Sequence, residues 1–165
     1  MKGVPTIMMF ADADMEKRAR YRNDDHYVQS NARNVMLHEI AHHNQHRWNL
    51  YGDTHLIEEM GWKRSEGPSR EWMLRGKNGE FYKVAPAETG TSRSWVLVNS
   101  KGEPVDAAGK PVEAGKETKI PQWELRDKLL VKPTSTYFDN PAEMHAEAMM
   151  NFRSGGSHRA DMLSN

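Results

Sequence analysis

Residues 24–51 contain neither glycine nor proline, and apolar residues recur among them at helical spacing. Asp24 or Asp25 can cap the start of a helix, and Gly52 can end it. The apolar positions are Val28, Ala32, Val35, Leu37, Ile40 and Trp48. The pattern predicts one long helix over residues 24–51.

From about residue 67 to residue 131 the pattern changes to short runs rich in Trp, Val, Phe and Tyr. Turn sequences such as GKNGE (76–80) and NSKGE (99–103) separate these runs. The stretches 70–80 and 93–103 share R-x-W-x-L, followed at the same distance by Gly-Glu. This echo predicts two similar hairpins that pack tryptophans into a small sheet. The alternative interpretation is a β-rich insert that holds a substrate.

A second helix is predicted from residue 141 to residue 153. Pro141 suits the first helical position, Asn140 the cap before it, and Gly155–Gly156 the stop. We therefore expect one α+β domain over residues 1–165, with the β-rich segment inserted between its two helices.

Composition and charge narrow the class of protein. The chain of 165 residues has 23 basic and 23 acidic side chains, so no net charge attracts it to nucleic acid or to an anionic membrane. It has no cysteine, which leaves His, Asp and Glu as metal ligands. The apolar run at 4–10 is short and acid follows it, which predicts a buried strand and no signal peptide. We expect a protein that is cytoplasmic or secreted by a signal-independent route.

Residues 38–42 read HEIAH, an H-E-x-x-H motif within the predicted long helix. Residues four apart lie on one helix face, so His38 and His42 can bind one Zn²⁺. Glu39 projects beside that face and can take a proton from a zinc-bound water that attacks a carbonyl. His43 and His46 point elsewhere and are expected at the surface.

Catalytic zinc needs a third protein ligand. A third histidine six residues after His42 is excluded, because position 48 is Trp. Asp53, Glu58 or Glu59 could return in a following helix. The other candidates lie on the C-terminal helix.

Glu143 and Glu147 are four residues apart, so their carboxylates lie on one face of that helix. One can bind the metal, while the other accepts the free N–H of a ligand histidine. Glu143 could instead close its own helix start, because Asn140-x-x-Glu143 has capping-box spacing. His145 is expected to be exposed. Tyr137, at the turn into the helix, either stabilises the oxyanion of a tetrahedral intermediate or packs as an ordinary turn residue.

HEIAHH followed far downstream by NPAEMHAEAM resembles the catalytic domains of anthrax lethal factor and the Pro-Pro endopeptidases, which are zincins of the gluzincin type. The resemblance implies three zinc ligands, His38, His42 and Glu143. It also implies that Glu39 is the base and that Glu147 supports a ligand histidine. The family has a tyrosine seven residues before the ligand glutamate, where this chain has Thr136, with Tyr137 one residue later.

The expected function is that of a zinc-dependent endopeptidase with a zincin-like fold, Zn²⁺ as cofactor and a protein or peptide as substrate. Similar domains form the toxic ends of secreted bacterial effectors, a setting that would add an immunity protein as partner. Two alternatives stay open: a cytoplasmic zinc peptidase that cleaves a regulator protein, and a non-catalytic metal-binding module. No nucleic-acid or membrane partner is expected.

Overall fold

The structure, a computed structural model, describes residues 32–85, 93–113, 115–135 and 137–154. In chain order its elements are helix α1 (Ala32–Arg47), a 3₁₀ turn (Leu50–Gly52), helix α2 (Thr54–Glu59), strands β1 (Trp62–Arg64), β2 (Trp72–Arg75), β3 (Phe81–Val84), β4 (Ser94–Val98) and β5 (Lys119–Pro121), helix α3 (Gln122–Leu125), a second 3₁₀ turn (Arg126–Lys128) and helix α4 (Pro141–Ser154). This confirms the α+β class, while the zincin-like fold stays a prediction. Among the described helices, none has the length and apolar character needed to cross a membrane.

The chain divides into two compact units. The first combines Met1–Asp53 with Pro133–Asn165, and the second is the internal segment Thr54–Lys132. The second unit begins before the predicted insert boundary near residue 67, because helix α2 and strand β1 belong to it. One metallopeptidase domain over residues 1–165 stays a prediction.

Helix α1 ends earlier than predicted. Its last residue is Arg47, and Asn49 has a φ of +52°, a left-handed conformation that ends helices. The stop is therefore an asparagine, and Gly52 lies in the 3₁₀ turn that follows. The predicted helix start at 24–31 and the predicted strand at 4–10 lie outside the described residues.

Helix α4 matches its prediction closely. It begins at Pro141, and Asn140 caps it, because the Oδ1 atom of Asn140 accepts hydrogen bonds from the N–H groups of Ala142 and Glu143 at 2.9 and 3.0 Å. The cap thereby satisfies two N–H groups that the first helical turn leaves without an intrahelical partner.

The five strands of the second unit form one antiparallel sheet in the order β1-β2-β3-β4-β5. Alternate residues face opposite sides, and each side has its own apolar cluster. On one side Trp62 and Trp95 are fully buried, with ring centroids 6.1 Å apart. Trp72 is only half-buried, and the Arg64 guanidinium lies 3.6 Å from its ring centroid. The other side buries Met73, Ala85, Val96 and Val98, against which Phe81 packs.

The two predicted hairpin turns have the same geometry, and a third turn repeats it. The N–H of the first residue bonds to the carbonyl of the fifth at 2.8, 3.0 and 2.8 Å in turns 76–80, 99–103 and 106–110. The fourth residue of each is a glycine, with a φ of +88°, +83° and +78° respectively. Only glycine adopts this backbone without strain, so the Gly in GKNGE and NSKGE is the sequence feature that sets the turn.

Replacing Gly79 with alanine should lower the free energy of unfolding by about 1 kcal/mol, because left-handed backbone strains a residue that has a Cβ. Crowding contributes nothing, since no atom beyond the chain neighbours lies within 4 Å of a Cβ built there. Gly79→Asn is the control and should lose less, because asparagine tolerates this conformation. Urea unfolding gives the free energy of unfolding of the wild type and of both variants. An unchanged unfolding midpoint for Gly79→Ala would contradict the predicted backbone strain.

Candidate metal centre

Helices α1 and α4 of the first unit pack against each other along a seam of polar side chains. From the start of α1 to its end, the contacts are His38 with Glu147, His42 with Glu143, and Gln45 with the carbonyl of Ala142. The partners on α4 come in reverse order, so the two helices are antiparallel. Residues one turn apart on α1 therefore meet residues about one turn apart on α4.

Three side-chain atoms meet in the middle of this seam. Nε2 of His38 lies 2.9 Å from Nε2 of His42 and 3.1 Å from Oε2 of Glu143, and the remaining pair is 3.2 Å apart. In a tetrahedral site with metal–ligand bonds of roughly 2.0–2.1 Å, two ligand atoms are about 3.3 Å apart. The three atoms thus have the spacing that one small divalent ion requires. No other such group occurs within the described part of the chain.

The other nitrogen of His38 contacts the second acid of helix α4. Nδ1 lies 2.7 Å from Oε1 of Glu147, whose side chain is 1% exposed. Because a carboxylate accepts hydrogen bonds, this contact places a proton on Nδ1 and leaves Nε2 with a lone pair. Glu143, by contrast, contacts Nε2 of both His38 and His42, so its carboxylate is directed at the histidines and does not close the start of its own helix.

The other nitrogen of His42 contacts an amide that the sequence did not suggest. Nδ1 of His42 lies 2.9 Å from Oε1 of Gln45. Tyr51 donates its hydroxyl to the same oxygen at 2.7 Å. Gln45 is 2% exposed, and its position three residues after His42 on one helix face is the only sequence signal that could have indicated it.

The centre therefore brings together three electron-rich atoms with no proton donor of their own. When each ring is neutral and has its proton on Nδ1, two lone pairs and a carboxylate oxygen face one another, and positive charge from protons or from a metal ion must separate them. Two imidazoles and one carboxylate are a donor set that zinc uses in proteins. Glu143 and Glu147 together carry two negative charges, which a divalent ion balances.

In the metal-free protein, protons supply this positive charge. Burial alone would lower the pKa of His38, but hydrogen bonds to Glu143 and Glu147 and their charges raise it from 6.5 to about 9. The hydrogen bond to Glu143 also raises the pKa of His42. Burial would raise the pKa of Glu143, but hydrogen bonds to both histidines and their charges lower it to about 2. These shifts keep His38 protonated and Glu143 charged over a wider pH range than free side chains.

Two side chains with predicted catalytic roles lie beside the ligand histidines. Glu39 follows His38 on helix α1, its side chain is exposed, and no hydrogen bond or ion pair ties it to another described residue. The ring of Tyr137 is half-buried, with its centroid 5.9 Å from that of His38. Both residues are close to the centre in the chain or in space, and their roles stay predictions.

The alternative third ligands do not join the group of described residues that could hold a metal. Asp53 and Glu58 are exposed. Glu59 pairs with His55, with Oε1 and Nε2 3.2 Å apart, and both side chains are exposed.

The histidines outside the motif differ partly from expectation. His46 is exposed, as predicted, but His43 is half-buried. The expectation that His145 is exposed is wrong, because this half-buried side chain accepts a hydrogen bond from Nε2 of Gln45 at 2.8 Å. Burial, followed by the charge of His42, lowers the pKa of His145. The prediction failed because the partner of His145 lies on another helix.

The pKa shifts of His38 and Glu143 together should stabilise the metal-free protein most between about pH 4.5 and 6.5. The raised pKa of His38 gives stability that is complete below 6.5 and is lost as pH rises through about 9. The lowered pKa of Glu143 gives stability that is complete above 4.5 and is lost as pH falls towards about 2. Melting temperatures of the chelated protein, measured across this pH range, test the loss of stability at both high and low pH. The same series with Zn²⁺ added is the control. A constant melting temperature from pH 6.5 to 9 in the chelated protein would contradict this charge state.

No known protein family matches this chain, and neither does any curated protein or solved structure. The resemblance of the two helices to the lethal factor and Pro-Pro endopeptidase domains therefore stays a prediction. What the site can do follows from its donor atoms and charges.

Proposed function

We propose that the protein is a zinc-dependent endopeptidase. One observation supports the proposal: Nε2 of His38, Nε2 of His42 and Oε2 of Glu143 lie within 3.2 Å of one another. Glu39, the proposed base, directly follows His38 in the chain. Zinc held by these three ligands would lower the pKa of a water molecule and polarise a substrate carbonyl.

The side chains around the three ligands orient the imidazoles, transfer the proton and stabilise the oxyanion. Glu147 and Gln45 hold the two imidazoles in orientation through hydrogen bonds to Nδ1. Glu39 takes the proton of the attacking water and passes it to the leaving amine, as a general base and then a general acid. Tyr137, beside His38, donates a hydrogen bond to the oxyanion that forms on the carbonyl.

The substrate is a protein or peptide, and two biological settings fit the proposal. In one, the protein is a bacterial effector with an immunity protein as partner. In the other, it is a cytoplasmic peptidase that cleaves a regulator protein. Proteomics on cells that express the chain separates the two, because cleavage of a resident regulator supports the second setting, and cleavage only of a foreign cell's protein supports the first.

The first prediction from this proposal concerns metal content. After dialysis the wild type should retain about one zinc ion per chain, and His42→Gln should retain much less, because only two ligands remain. His46→Gln is the matched control, since His46 lies one turn further along the same helix and is exposed. Elemental analysis measures zinc per chain. Equal zinc in the two variants would contradict the assigned ligands.

The second prediction concerns the base. Glu39→Gln should bind zinc like the wild type and cleave peptides about 10²–10⁴-fold more slowly, because glutamine cannot accept the proton. Glu58→Gln, which changes an exposed acid of the second unit, is the control and should cleave normally. Digestion of a peptide library followed by mass spectrometry measures the rates. Full activity in Glu39→Gln would refute the mechanism, and zinc binding without cleavage of any library peptide would favour a metal-binding module.

A further inference from the structure

We propose that Gln45 is a positioning residue of the metal centre, whose amide holds His42 in the tautomer that leaves Nε2 free for metal. The inference rests on the zinc-binding part of the proposed function. Glutamine is an uncommon choice for a position that is 2% exposed, because a buried amide costs free energy unless its polar atoms are bonded.

Every hydrogen-bonding position of this amide is used. The oxygen Oε1 has two lone pairs, which accept from Nδ1 of His42 at 2.9 Å and from the Tyr51 hydroxyl at 2.7 Å. The nitrogen Nε2 has two hydrogens, which go to the carbonyl of Ala142 and to Nδ1 of His145, both at 2.8 Å. The side chain therefore has no unsatisfied polar atom, and its four hydrogen bonds offset the cost of its burial.

The backbone carbonyl of Ala142 fixes the orientation of the Gln45 amide, because this carbonyl can only accept a hydrogen bond. A backbone carbonyl only accepts, so the atom of Gln45 that faces Ala142 must be the donor Nε2. Flipping the amide would place Oε1 against that carbonyl, with two acceptors in contact. Oε1 must then face His42, and the hydrogen bond between them requires the proton of His42 on Nδ1.

This arrangement also connects two ligands. Ala142 directly precedes Glu143 in the first turn of helix α4, so the same amide holds the ring of His42 and the backbone next to the ligand carboxylate. Two effects are possible on removal of the amide, loss of ring orientation and loosening of the seam between the helices, and the variants must separate them.

Two substitutions separate the effects. Gln45→Met keeps the length of the side chain and removes all four hydrogen bonds, whereas Gln45→Glu keeps an acceptor for His42 and removes both donors. We expect Gln45→Met to bind Zn²⁺ about 10- to 100-fold more weakly than the wild type, the usual loss when the partner of a ligand histidine is removed. Gln45→Glu should bind Zn²⁺ at least as tightly as the wild type, because His42 keeps an acceptor and a carboxylate makes its ring the more basic ligand.

The measurement is a chelator competition for Zn²⁺, with thermal unfolding of each metal-free variant alongside. Gln122→Met is the matched control, because Gln122 is a buried glutamine of the second unit. It should keep wild-type zinc affinity whatever its melting temperature. Wild-type affinity in Gln45→Met would overturn the proposal. Equal weakening in Gln45→Met and Gln45→Glu would also overturn it, because the donor to Ala142 would then be the important group.

A spectroscopic test on the wild type keeps the proposal falsifiable if Gln45→Met does not fold. Long-range ¹H–¹⁵N spectra of the zinc-loaded protein should place the proton of His42 on Nδ1, and a proton on Nε2 would overturn the proposal. None of these readouts uses peptide cleavage. A wild type that binds zinc and cleaves nothing would therefore refute the endopeptidase function and leave the role of Gln45 standing. If the wild type bound no zinc, the endopeptidase function and the role of Gln45 in a metal centre would both be refuted, because each rests on zinc binding.

Discussion

The seam between helices α1 and α4 depends on buried polar side chains that hydrogen-bond to groups on the opposite helix. His38, Gln45 and Glu147 are each at most 3% exposed, and a buried polar or charged group is costly unless it is paired. Each of the three contacts a group on the opposite helix, so removal of one partner leaves another group buried and unpaired. These hydrogen bonds therefore help to specify the antiparallel register of the two helices.

Within that seam, one imidazole connects two acids that stand one helical turn apart. Glu143 and Glu147 are four residues apart on α4, and His38 contacts the first through Nε2 and the second through Nδ1. Burial distinguishes the two carboxylates, because the side chain of Glu147 is 1% exposed and that of Glu143 is 21% exposed. The deeper acid contacts Nδ1 of the ring, and the more accessible one belongs to the group of three atoms that could hold a metal ion.

Sequence patterns predicted the features that depend on neighbouring residues. The spacing of His38 and His42, the cap at Asn140 and the glycines of the hairpin turns each follow from a few consecutive residues. The predicted end of α1 was wrong, because the pattern of apolar residues takes no account of Asn49, which adopts the left-handed conformation. The role of Gln45 was missed, because it depends on the carbonyl of a residue 97 positions away, and no pattern in a single sequence contains that contact.

The two histidines of the motif contact partners of different charge through Nδ1. His38 donates to the carboxylate of Glu147, and His42 donates to the neutral amide of Gln45. A carboxylate makes its imidazole the more basic ligand, so His38 should hold a cation more strongly than His42 does. The amide of Gln45 thus contacts His42 without adding a charge, and both rings direct the same nitrogen, Nε2, towards Glu143.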